Sequence, residues 1–170
     1  MPIWAKDTPK KEYPVAPEGL HQAICCDVVD RGMVTVTYDG VSREVHQIEI
    51  RWLLDPELDA VERFMVSRRY TNSLNEKAKL RSHLQAWRGK NFTPEELQKF
   101  DLETLVGVNC QVQIVHALKK DGGKWANVSA VVPLGNGMTK IRPSETYVRV
   151  KDRNKPLGVQ VDADGEAVPF

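Results

Sequence analysis

The sequence predicts a mainly β protein, a small Greek-key barrel with a helix between its third and fourth strands. Three observations carry that prediction. Alternating apolar and polar residues run from Gly19 to Leu54 and recur over residues 109–116 and 125–132. Asp39-Gly40 interrupts the first run with a strong hairpin signal. Between the early and late strands, Leu80, Leu84 and Trp87 share one face at helical spacing. Strands, one capped helix and two more strands make the layout of a five-stranded OB-fold, and the Tyr38 hairpin counts as an extra one.

Taken in order, residues 1–17 form an extended arm. Pro2, Pro9, Pro14 and Pro17 each remove a donor and fix φ, while Trp4 and Tyr13 are the side chains able to anchor it. Residues 18–134 form the barrel domain. In its first strand Ile24, Cys26 and Val28 alternate with other residues, and Asp30-Arg31-Gly32 is expected to break the run. Ile48, Ile50 and Trp52 then share the apolar face of the next strand, with Gln47, Glu49 and Arg51 opposite. A third strand leads to Tyr70. Ser73 with Glu76 predicts a capping box at the start of the following helix, and Gly89 a left-handed end to it. Thr93, Pro94 and Glu96 predict a second, shorter capped helix ending near Phe100. Cys110, Val112 and Ile114 mark the inner face of the fourth strand, and Ala126, Val128, Ala130 and Val132 that of the fifth. Residues 135–170 are a partly ordered segment in which only residues 146–150 read as a strand, and the end has the composition of a disordered tail.

With 170 residues, 41% of them hydrophobic, the chain can bury one core. The net charge is only +1, yet residues 63–90 hold eight Lys or Arg against one acid, Glu76. The charge is therefore segregated. Cys25, Cys26 and Cys110 contain no CxxC pair, and neighbours on a strand point to opposite faces, so all three read as small hydrophobes in a reducing cytoplasm. Neither a membrane span nor a secretion signal is expected.

Catalytic patterns are not visible. His21, His46, His83 and His116 are scattered without metal-ligand spacing, and no nucleophile elbow, phosphate-cradling loop or dinucleotide fingerprint occurs. Glu95 and Glu96 are accounted for by a helix N-terminus, where negative charge is favourable. The expectation is a protein that is not an enzyme, with no cofactor and no metal.

A single-stranded nucleic acid asks for cations against phosphates and aromatic faces against bases. Arg68, Arg69 and Tyr70 end the third strand, Lys77, Arg81, Arg88 and Lys90 follow along the helix, and Lys119, Lys120 and Lys124 cluster in the last hairpin turn. Trp125 sits on the polar face of its strand, either as a stacking platform or under the arm or the C-terminal segment. Tyr70 likewise either stacks or packs on the helix after it. Each basic element alone also reads as a solvated face; their convergence on one barrel favours binding.

The chain also resembles a family of phage- and prophage-encoded OB-fold proteins that bind single-stranded DNA in phage replication. The resemblance covers about residues 13–134. It is carried by Tyr13-Pro14-Val15-x-Pro17-Glu18-Gly19-x-His21, Arg69-Tyr70-Thr71-x-Ser73-Leu74 and Lys77-Ala78-x-Leu80-Arg81. It continues in Trp87-Arg88-Gly89-Lys90-x-Phe92-Thr93, Phe100-Asp101-Leu102, Leu105-Val106-Gly107 and Trp125-Ala126-Asn127-Val128. Outside that region, Asp162, Asp164 and Glu166 ahead of Pro169-Phe170 are similar to the acidic tip of bacterial single-stranded DNA-binding proteins, which docks on replication and repair proteins. These likenesses imply a sequence-independent single-stranded DNA-binding protein in the cytoplasm of a bacterial host, active in phage replication or recombination. Its tail would take protein partners, and a homo-oligomer is compatible with the sequence. The alternative is an OB-fold interaction module that captures a host enzyme through the same cations.

Overall fold

Gly19–Tyr38 (β1) and Val41–Leu54 (β2) make one long antiparallel hairpin. The computed structural model describes residues 2–5, 7, 15–56 and 63–153. Met65–Thr71 (β3) pairs with β2, Asn109–Leu118 (β4) with the start of β1, and Lys124–Val132 (β5) with β4. All pairings are antiparallel, and the sheet order is β3-β2-β1-β4-β5. Its two edges, β3 and β5, come together, and Arg68 joins them by donating from Nη1 to the Val128 carbonyl. The protein is thus mainly β, a five-stranded antiparallel sheet that curls on itself.

The tip of the β1–β2 hairpin is Asp39-Gly40, with φ of 51° and 74°. A two-residue turn with both φ positive matches the twist of its strands, which is why Asp-Gly predicts it from sequence alone. Asp30-Arg31-Gly32 does not end a strand. It forms a bulge, where Gly32 takes φ 70° and donates its N–H to Asp30 Oδ1 at 2.8 Å. The expected extra hairpin is therefore the outer half of β1–β2, and the strand number is five.

Lys79–Arg88 (α1) packs Leu80, Leu84 and Trp87 onto the end of the curled sheet, as their spacing predicts. The Trp87 ring lies 6.0 Å from that of Trp52, and its Nε1 donates to the Asn109 carbonyl at 3.1 Å. Gly89 ends α1 at φ 72°. The start differs from expectation. Ser73 Oγ accepts from the Asn75 N–H and Asn75 Oδ1 from the Lys77 N–H, so these side chains build tight turns and the helix begins six residues after Ser73. Short polar side chains that bond nearby backbone compete with helix in this way. The Thr93 capping box on Pro94–Gln98 (α2) is present in full, with both reciprocal bonds.

The sheet encloses Trp52, Ile50, Leu54, Cys110, Val112, Ile114 and Val128. In β5 a register shift between Gln113 and Ile114 of the partner strand leaves Ser129 unpaired, so Val131 turns inward in place of the expected Ala130 and Val132. Past β5, residues 146–150 form no strand. That segment instead crosses β1 through Asp27, which is 1% exposed. Asp27 accepts from Tyr147 Oη, Arg149 Nε and the Val150 N–H, each at 2.9 Å. Arg149 also pairs with Glu103 at 2.7 Å, in a short 3₁₀ turn, Leu102–Leu105. All three cysteines are free, with Cys25 and Cys110 buried. Burial raises their thiol pKa values far above neutrality; that of Cys26 is pushed up to about 11 by burial and by the neighbouring Asp27. Trp4 is exposed, Tyr13 lies outside the described residues, and no helix among those residues is long and apolar enough to cross a membrane.

Candidate nucleic-acid interface

An open groove of about 570 Å³ lies where the end of β3 meets the base of the β1–β2 hairpin and the turns leading into α1. Arg43 and Val45 come from β2, Arg68, Arg69, Tyr70 and Thr71 from β3, and Ser73, Asn75, Lys77, Ala78 and Lys79 from the connection. Five of these side chains are cationic and none is a carboxylate. Thr71, Ser73 and Asn75 add neutral polar groups among them.

Strand parity sorts the β3 residues. Val66, Arg68 and Tyr70 point inward, while Met65, Ser67, Arg69 and Thr71 point outward. Arg68 is consequently half-buried, bonded to Val128 and 5.6 Å from the Tyr70 ring centre, a cation held in place beneath the groove. Arg69 is exposed and lies 3.6 Å from Glu49, which also binds Arg51 at 2.8 Å. Arg43, Lys77 and Lys79 are exposed.

Tyr70 is not a stacking platform. It is 3% exposed, its hydroxyl lies 2.7 Å from His83 Nδ1, and the two rings meet edge to face at 5.4 Å. It forms the floor of the groove. Burial, then the charges of Arg68 and Lys79, depress His83 to a pKa of about 4, so it is neutral at pH 7 and shares one hydrogen bond with the Tyr70 hydroxyl. An unfolded histidine titrates near 6.5, so the unfolded chain binds a proton between those values that the folded chain refuses. Stability is therefore complete above about pH 6.5 and falls, by up to about 3 kcal/mol, as the pH drops toward 4. Urea unfolding across that range is expected to show the slope in the parent and a flatter one in His83→Gln.

Two other expected contacts are spent within the fold. Arg81 donates to Gln85 Oε1 at 3.2 Å and to the Leu74 carbonyl at 3.3 Å. Arg88 pairs with Glu96 at 2.7 Å and lies 4.8 Å from the Phe92 ring centre and 5.7 Å from that of Phe100. These two guanidiniums tie α1 to the preceding turns and to α2. Lys90, Lys119, Lys120 and Lys124 are exposed but do not line the groove. Trp125 is not sealed; it is 41% exposed on β5, and it too lies off the groove lining. Of the sequence candidates, the groove gathers Arg68, Arg69, Tyr70 and Lys77. It adds Arg43 and Lys79, which lie outside those candidates. Lys79 stands beside Lys77 in sequence, whereas Arg43 arrives through the β2–β3 pairing, Gln47 opposite Thr71. The tail residues Asp162, Asp164, Glu166, Pro169 and Phe170 lie outside the described residues.

Among the described residues, no group of three or more His, Cys, Asp or Glu is placed to hold a metal ion. Compared with models of protein families, with curated proteins and with solved structures, the chain matches none.

Proposed function

We propose that the chain is a non-enzymatic, largely sequence-independent single-stranded DNA-binding protein built on an OB-fold. The strand order β3-β2-β1-β4-β5 with meeting edges, and a helix between β3 and β4, support the OB-fold reading. Proteins of that fold take oligonucleotides on the face of strands 2 and 3, flanked by the β1–β2 and β4–β5 loops. The basic groove lies along β2 and β3, with Lys119, Lys120 and Lys124 in the β4–β5 turn. The observation that carries the function is the groove itself, with five cations, no carboxylate and an open mouth. A cationic groove that tracks a backbone is what binding of a single strand without sequence preference requires. The sequence resemblance adds phage replication or recombination in a bacterial cytoplasm, and protein partners at the acidic tail, to the proposal.

Fluorescein-labelled oligo-dT is expected to gain anisotropy on mixing with the protein. With four exposed groove cations each neutralising one phosphate, log affinity should fall against log salt with a slope of roughly −3, at about −0.7 per phosphate for single strands. Equal affinity for duplex, or binding indifferent to salt, would count against the reading.

A further inference from the structure

The outer half of the β1–β2 hairpin stands clear of the rest of the sheet. β1 meets β4 only from Gly19 to Ile24, the β2–β3 pairing stops at Gln47, and the Asn72 N–H still bonds the His46 carbonyl, so the pairs from Thr35 with Glu44 outward form a two-stranded ribbon with no strand beside it. Cross-strand partners share a face and alternate along the strands. Val34 with Val45, Val36 with Arg43 and Tyr38 with Val41 therefore occupy one face. Met33 with His46, Thr35 with Glu44 and Thr37 with Ser42 occupy the other.

The two faces differ in charge. Glu44 lies on the second, where His46 also binds Asp30 at 2.7 Å, so that side would repel phosphate. The first carries Arg43 and no acid, and its inner end is the groove wall, because Arg43 and Val45 line the groove. Beyond Arg43 the same face presents Tyr38, 87% exposed, and Val41, also exposed. An exposed phenol beside an exposed aliphatic, two residues out from a groove cation, lies about 7 Å further along the strand. That is the arrangement a splayed base needs next to a bound phosphate.

We propose that the bound strand runs out of the groove onto the Val34, Val36 and Tyr38 side of the ribbon, and that Tyr38 stacks on one of its bases. This rests on the single-strand reading above. It supplies the aromatic platform that the buried Tyr70 cannot, and it makes the ribbon one wall of the interface.

The test is anisotropy of fluorescein-labelled oligo-dT with the full chain, for the parent, Tyr38→Ala, Tyr38→Phe and a Lys77→Ala/Lys79→Ala control. Tyr38→Ala should weaken binding roughly 5- to 100-fold with unchanged thermal unfolding, while Tyr38→Phe, which keeps the ring, stays within about 2-fold of the parent. Loss of binding in the lysine control with Tyr38→Ala unchanged would overturn this inference and leave the single-strand reading standing. Equal losses in Tyr38→Ala and Tyr38→Phe would overturn stacking, since the hydroxyl would then carry the contact. A parent that binds no oligo-dT at all would overturn the function and this inference together.

Discussion

Replacing Lys77 and Lys79 together by Ala is expected to lower affinity for oligo-dT about 100-fold, each removing one charge-assisted contact of about 1.5 kcal/mol. Both side chains are exposed and line the groove, so unfolding by urea should be unaffected. The salt slope should flatten by roughly 1.4, two phosphates at about 0.7 each. Arg88→Ala makes the contrast. Its guanidinium already binds Glu96 and covers Phe92 and Phe100, so its removal should cost stability and leave the salt slope alone. Gel shifts of the double variant on single strand and duplex, beside Arg88→Ala, separate a binding surface from a structural clamp. A double variant that binds as the parent does would remove the groove from the interface.

The second large effect is structural. Asp27→Ala is expected to destabilise the fold by about 3–5 kcal/mol, the usual cost of removing one partner from a buried ion pair. Burial by itself would raise the Asp27 pKa; the Val150 N–H, Arg149 and Tyr147 outweigh it and hold the carboxyl below its ordinary value. A carboxyl so depressed stabilises the fold at every pH above its unfolded value near 3.9, and that contribution disappears only in stronger acid. Urea midpoints at pH 7 give the size of the loss. Asp27→Ala with Arg149→Met should cost less than the two single losses added, because the groups share a network. Strict additivity would show that the strap over β1 is held by something else.

Local chemistry was legible in the sequence; non-local placement was not. Asp39-Gly40, Gly89 and the Thr93 box each act within a few residues, and each stands as read. Leu80, Leu84, Trp87 and Trp52 were identifiable as core from periodicity alone. Ser73 and Glu76 misled because a capping pattern is also a turn pattern, and here Asn75 completes the turn. Ser129 shifted the phase of β5, and a bulge leaves no mark in a two-residue period. At the groove, the cationic stretch supplies Arg68, Arg69 and Lys77 to the lining. Arg43 came from another strand, and the inward turn of Tyr70 depended on its meeting with His83, 13 residues on. Arg81 and Arg88 looked free because their partners, Gln85, Leu74 and Glu96, gave no sign in a count of charges.

The enclosed sulfurs also give the molecule a built-in clock. Cys25 on β1 and Cys110 on β4 are shut in and held as thiols at neutral pH. An alkylating reagent can reach them only when the core around them opens. The rate at which mass is added at these positions therefore reports openings of the core around Cys25 and Cys110, with no label attached beforehand.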